Sequence, residues 1–88
     1  MELTIASRTI TDENGTPRQF RYALLIDQIS SGCFFCENYG VLISETNGDT
    51  ASIPGITSSA ARIDELMTLL IEHNVSPTTL ADVVADWL

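Results

Sequence analysis

The hydrophobic period of the chain changes within residues 54–71, PGITSSAARIDELMTLLI. From residue 63 onward the apolar residues recur every three or four positions, which is the stripe of an amphipathic helix. They are Ile63, Leu66, Met67, Leu70 and Ile71. Upstream of this stretch apolar and polar residues mostly alternate, so residues 54–71 mark the passage from strands to helices.

The ends of this helix carry recognisable capping residues. Thr57, Ser58 and Ser59 are candidate N-caps, because their hydroxyls can accept free backbone N–H groups. Asp64 and Glu65 are expected early in the helix, where the helix dipole favours anions. We expect the helix to end near residues 73–74, with Asn74 as a left-handed C-cap.

A second helix is predicted to begin at Ser76 and Pro77, by cap and first-position chemistry. Its apolar stripe consists of Leu80, Val83, Val84, Trp87 and Leu88. The simplest assembly lays the stripes of both helices on one face of a sheet.

Upstream of the helices, period-two alternation and turn residues predict about four strands. The predicted strands are residues 2–11, 18–29, 33–46 and 50–54. Asn14-Gly15 and Asn47-Gly48 are turn signals, and Pro54-Gly55 is expected to end the fourth strand. Gly40 inside the third strand predicts a bulge or a close backbone approach. We therefore predict an α+β fold: an antiparallel meander followed by two short helices packed on one face, in a single domain over residues 1–88.

The charge of the chain is strongly acidic. Twelve acids against four arginines, with no lysine, give a net charge of −8. Residues 1–21 balance their acids with three arginines, so residues 22–88 carry the whole excess. Such a surface repels phosphate backbones and anionic membranes. We expect no binding to nucleic acid or to membranes, which leaves a basic protein partner or simple solubility as the reason for the charge.

The cellular location is predicted from what the sequence lacks. The first residues do not show a basic segment followed by an apolar one, and no apolar run approaches the roughly 20 residues that span a bilayer. Small secreted domains usually carry several cysteine pairs, whereas this chain has two cysteines. We expect a cytoplasmic protein.

Several short stretches carry a resemblance to a known family. They are Tyr39-Gly40-Val41, residues 66–70, His73-Asn74-Val75-Ser76-Pro77 and residues 80–88. In these stretches the chain resembles an uncharacterised family of short proteins from anaerobic Gram-positive bacteria, and the resemblance covers about residues 20–88. That family often has an acid–arginine pair at the start of its first helix, where this chain has Ser59-Ala60. The resemblance implies a domain of unknown function and no particular activity.

Cys33-Phe34-Phe35-Cys36 is the stretch with the clearest chemical content. A redox pair places its first cysteine at a helix N-terminus, whereas this stretch leads into a predicted strand. There, residues three apart lie on opposite faces about 10 Å apart, too far for a disulfide without rearrangement. Together with His73 the two cysteines are candidate zinc ligands, one fewer than the usual structural site requires. Buried apolar cysteines, a thiol pair and a zinc site completed by an acid or a second chain stay open, and we predict no catalytic residue and no cofactor.

Asp82 and Asp86 lie four residues apart on the second predicted helix, next to Trp87. Like charges at this spacing slightly destabilise a helix, so they form either a solvated face or a contact for a basic partner. Trp87 is either part of the core or an anchor for that partner. We predict a small acidic, non-enzymatic protein-interaction or regulatory module. The alternatives are an acidic nucleic-acid mimic that occupies a basic site, a thiol or zinc protein using Cys33 and Cys36, and a homodimer formed through an edge strand or a helix face.

Overall fold

Four strands and two helices follow one another in the computed structural model, which describes the backbone of residues 1–31, 34–46 and 48–88 and their side chains except at 29–31 and 34–36. The strands are β1 (Glu2–Thr11), β2 (Pro17–Ser31), β3 (Phe34–Glu45) and β4 (Thr50–Thr57), and the helices are α1 (Ala60–Glu72) and α2 (Leu80–Trp87). The strands form one sheet in the order β1-β2-β3-β4, and neighbouring strands are antiparallel. The predicted fold class, a four-strand meander followed by two helices, is confirmed.

The first turn forms at the predicted Asn14-Gly15 step. Its frame is the Asp12 side chain, whose Oδ1 accepts the backbone N–H groups of Asn14 and Thr16, both at 2.9 Å. Gly15 has a φ of +78°, the conformation that glycine adopts at no steric cost. This local chemistry sets the pairing of β1 with β2.

The predicted end of the fourth strand at Pro54-Gly55 is wrong, because β4 continues to Thr57. β4 is an edge strand, where the missing N–H of a proline leaves no neighbour unpaired. The register between β3 and β4 shifts at this point, and Gly55 adopts a φ of +65°. The two residues therefore bend the strand without terminating it.

Gly40 lies opposite this bend. A Cβ atom at position 40 would lie 2.3 Å from the carbonyl oxygen of Ile53 and 2.6 Å from the Cα of Pro54. No side chain fits at that distance, so the close backbone approach, one of the two alternatives predicted at Gly40, is confirmed. The register of β3 against β4 also shifts at this residue.

β2 and β3 extend beyond the rest of the sheet. Leu25 is paired with Glu2 of β1, and Tyr39 with Thr57 of β4, near the last contacts of the edge strands. β2 and β3 continue to pair as far as Ser31, opposite Phe34. We call residues 27–31 and 34–38 the arm; it lengthens the molecule, which measures 54 × 24 × 17 Å.

The caps of α1 agree with the predicted ones. The hydroxyl of Ser59 accepts the backbone N–H of Arg62 at 3.3 Å, which makes Ser59 the N-cap among the three candidates. Asn74 follows the helix with a φ of +50°, the predicted left-handed conformation. The expectation of acids near the helix start is only loosely met, since the first turn contains none and Asp64 lies one turn in.

α2 begins later than predicted. Ser76 and Pro77 form a turn, in which the N–H of Thr79 donates to the carbonyl of Ser76 at 3.2 Å. The hydroxyl of Ser76 contacts those of Thr78 and Thr79 and caps no helical N–H group. Because β-branched threonines are weak helix formers, the helix starts only at Leu80.

Both helices cover one face of the sheet and form the core with it. The buried residues of this core are Phe20, Tyr22, Val41, Ile43, Ile63, Leu66, Met67, Leu70, Val75, Leu80 and Val84. The hydroxyl of Tyr22 donates to the carbonyl of Val75 at 3.0 Å inside the core. The Arg8 guanidinium reaches the carbonyl of Ile71 at 3.4 Å, where the helix dipole favours a cation. The connection between the helices is thus bound to β2, and the last turn of α1 to β1.

Candidate functional site

A cleft of about 320 Å³ opens between the sheet and the first half of α1. Its sheet side consists of Ile5, Leu24, Ile26 and Tyr39, and its helix side of Ala60, Ile63 and Met67. The helix residues share one face because they lie three and four positions apart. Residue 60 is an alanine that lines the cleft, so a larger side chain at this position would take up part of the space next to the sheet. The cleft is mainly an apolar surface that no element of the described structure covers.

A β-bulge brings Ile5 to the cleft. The register of β1 against β2 shifts between Thr4 and Ala6, so Ile5 has no partner across the ladder. Leu3 and Ile5 remain 48% and 46% exposed, although both are large apolar residues. The cleft therefore continues onto an exposed apolar part of β1.

Two carboxylates, Glu37 and Asp64, line the cleft from opposite sides. Glu37 comes from the base of the arm, where the Tyr39 hydroxyl donates to its Oε2 at 2.8 Å. This hydrogen bond raises the pKa of the Tyr39 phenol, which keeps its proton at neutral pH. Asp64 is an exposed residue one turn into α1. The result is an apolar floor with an acidic rim.

The arginines of the chain do not neutralise this rim. Each of the four contacts another part of the described structure: Arg18 binds Glu45, Arg21 binds Glu2, Arg62 lies 4.5 Å over the ring of Trp87, and Arg8 reaches Ile71. The chain has no lysine. Among the described side chains, the charges of Glu37 and Asp64 are therefore without an ion-pair partner.

Cys36 and His73, two of the three predicted zinc ligands, occupy different parts of the fold. Cys33 lies outside the described residues, and Cys36 lies in the arm opposite Ile29. His73 follows the last residue of α1, whereas the base of the arm lies beside its first residues. A helix of 13 residues is about 20 Å long, so the described backbone separates His73 from the arm. Within the described residues no group of three or more potential ligands is placed to hold a metal ion, and the thiol hypothesis stays a prediction.

The predicted interaction residues on α2 lie together at the surface. Asp82 and Asp86 are exposed, and neither forms an ion pair with a described side chain. Trp87 is half-buried: it packs on the core and its ring lies under the Arg62 guanidinium. Trp87 therefore joins α2 to α1, in keeping with its interpretation as a core residue. Asp82, Asp86 and Trp87 do not line the cleft between the sheet and α1.

Comparison with protein families gives a match that spans residues 1–88, to a family of unknown function, DUF6514. The chain belongs to DUF6514. The resemblance that the sequence showed over residues 20–88 thus extends to β1 and includes the whole cleft. Comparisons with curated proteins and with solved structures found no match. Neither helix in the described part of this DUF6514 protein is long and apolar enough to cross a membrane.

Sequence reasoning missed the cleft of this DUF6514 protein. The helical spacing of Ala60, Ile63, Asp64 and Met67 is the signal that could have indicated their common face, but the predicted apolar stripe included only Ile63 and Met67 of these four. Nothing local in the sequence marks the bulge at Ile5 or the approach of Glu37 to the start of α1.

Proposed function

We propose that this DUF6514 protein is a small, non-enzymatic interaction module that binds a basic, partly apolar segment of a protein partner at the cleft. The observation that carries the proposal is the apolar cleft with an acidic rim that no arginine neutralises. An apolar floor favours a partner with apolar side chains, and uncompensated carboxylates favour basic ones. The exposed Leu3 and Ile5 enlarge the surface that such a segment would cover.

The distribution of acids supports this proposal over a nucleic-acid mimic. A mimic needs carboxylates spaced like phosphates along one face. Here Glu13 and Asp49 lie in turns at one end of the sheet, whereas Asp27 and Glu37 lie in the arm at the other end. Glu37 and Asp64, by contrast, adjoin the apolar floor of the cleft. A cytoplasmic location is part of the proposal and rests on the small number of cysteines.

The test compares two neighbouring alanines of α1, both exposed. Ala60 lines the cleft, and Ala61 does not. Wild-type protein, Ala60→Leu and Ala61→Leu are immobilised and exposed to an extract of the native cell, and retained proteins are quantified by mass spectrometry. We expect a partner that is retained by the wild type and by Ala61→Leu and lost from Ala60→Leu, because leucine at position 60 fills the cleft.

Circular dichroism and urea unfolding establish that both variants fold. If they do, and no retained protein distinguishes them, the cleft is not the binding surface. A partner that is instead lost on combining Asp82→Asn with Asp86→Asn would move the binding surface to α2.

A further inference from the structure

The size of the cleft limits what it can hold. Ligand sites for whole small molecules range from about 300 to 1,000 Å³. At about 320 Å³ the cleft lies at the lower end of that range, so one long side chain is a better match than a bulky ligand. The occupant must place apolar atoms against Leu24, Ile26 and Ile63 and a polar group at the rim.

The rim identifies that polar group as a cation. Glu37 and Asp64 carry negative charge on opposite sides of the cleft, and the described arginines are engaged elsewhere. A second copy of this chain is a poor occupant, because its own arginines are equally engaged and each copy carries a net charge of −8. A long cationic side chain from a different protein can place its apolar atoms on the floor of the cleft and its charge at the rim.

We propose that the cleft is a binding site for one arginine side chain of the partner segment, a proposal that rests on the proposed function. Arginine has an alkyl stem for the apolar floor and five N–H donors, enough for two carboxylates. Its planar guanidinium is weakly hydrated and stacks on aromatic rings, and the aromatic residue Tyr39 is among those that line the cleft. A lysine ammonium has the charge but neither the planar shape nor the weak hydration.

The experiment is a nuclear magnetic resonance titration of the ¹⁵N-labelled full chain with three probes of similar length. They are Nα-acetyl-arginine amide, Nα-acetyl-citrulline amide and Nα-acetyl-lysine amide; citrulline has nearly the shape of arginine without its charge. We expect arginine to shift the backbone amides of Tyr39 and of residues 60–67. Because a charge-assisted hydrogen bond is lost, citrulline is expected to bind about tenfold more weakly. Lysine is expected to bind more weakly than arginine.

Two matched variants distinguish the effect of a rim carboxylate on arginine binding from the effect of the net negative charge of the chain. Asp64→Asn removes a rim charge, whereas Glu65→Gln removes the charge of its exposed neighbour, which does not line the cleft. We expect Asp64→Asn to weaken arginine binding about tenfold and Glu65→Gln to leave it unchanged. Equal binding of citrulline or of lysine, equal effects of the two variants, or shifts centred on α2 would each overturn the arginine site.

This outcome is independent of the capture experiment. If arginine shows no preference and a partner is nevertheless lost from Ala60→Leu, the interaction module stands and the arginine assignment is wrong. If arginine binds as expected and Ala60→Leu loses no partner, the site stands and the proposed function is wrong.

Discussion

Replacing Tyr22 by phenylalanine tests how the connection between the helices is attached to the sheet. Tyr22 is 0% exposed, and its hydroxyl donates to the carbonyl of Val75 at 3.0 Å. Removing the hydroxyl leaves that buried carbonyl without its partner, which costs about 1–2 kcal/mol. We expect the melting temperature to fall by about 4–8 °C for each kcal/mol in a domain of this size. With a urea m-value of about 1 kcal/mol/M, the midpoint of unfolding falls by about 1–2 M.

The second tyrosine of the same sheet face supplies the control. The hydroxyl of Tyr39 donates to Glu37 at the surface, where water can replace the bond. Both variants are unfolded in urea and followed by the fluorescence of Trp87, the single tryptophan. We expect Tyr39→Phe to leave the midpoint nearly unchanged. Equal midpoints for wild type and Tyr22→Phe, with equal m-values, would refute the reasoning that the bond to Val75 stabilises the fold.

The same residue predicts how stability depends on alkaline pH. Burial raises the pKa of Tyr22, and the Arg8 guanidinium offsets part of this effect. In the unfolded chain tyrosine ionises near pH 10. The stabilisation from keeping Tyr22 neutral is therefore complete below about pH 10 and is lost as the pH rises through the higher folded pKa. We expect Tyr22→Phe to lose less stability than the wild type as the pH rises above about 10; parallel losses would contradict the role of burial.

Three further changes test other parts of the fold. Gly40→Ala is expected to lower the free energy of unfolding in urea by about 2 kcal/mol or more, because the new Cβ would contact the backbone of Ile53 and Pro54. Gly48→Ala should lower it less, because there the new Cβ would contact the side chain of Glu45, which can move. Asn74→Val is expected to cost about 1–2 kcal/mol, since a β-branched residue resists a φ of +50°, while Asn74→Gly should fold at least as stably; equal losses would exclude the left-handed cap. The hydrogen bond from Arg18 lowers the pKa of Glu45. The ionised Glu45 carboxylate therefore stabilises the fold above about pH 4.3, and this stabilisation is lost as the pH falls further. Acid unfolding of Glu45→Gln should therefore be less dependent on pH, and an unchanged acid limb would contradict this.

The fold class follows from period and turn chemistry, both of which act over a few residues. The change from alternation to the Ile63–Leu70 stripe identified the helices, because only a helix brings residues three and four apart onto one face. Gly15 and Asn74 adopt the positive φ that their positions implied. The wrong boundaries have the same local origin. Pro54-Gly55 has the composition of a strand end, but β4 continues through it because an edge strand tolerates a proline. Ser76 has the composition of an N-cap, but its hydroxyl contacts the Thr78 hydroxyl and accepts no helical N–H group.

The candidate site depends on contacts between distant parts of the chain. Ile5 reaches the cleft because a bulge shifts β1 against β2. Glu37 lines the same cleft as the first residues of α1 because β3 continues into the arm. The sequence contains these residues, but their approach is decided by strand register and helix packing.

The sequence by itself determined that this chain forms a meander and two amphipathic helices, that its surface is acidic and that it has no lysine. Only the tertiary structure decided that Glu37 and Asp64 share the rim of an apolar cleft and that each arginine is engaged elsewhere. The physical reason is range. Backbone preferences and hydrophobic periods act between near neighbours in sequence, whereas a binding surface arises where the packing of remote elements leaves apolar area and charge uncovered.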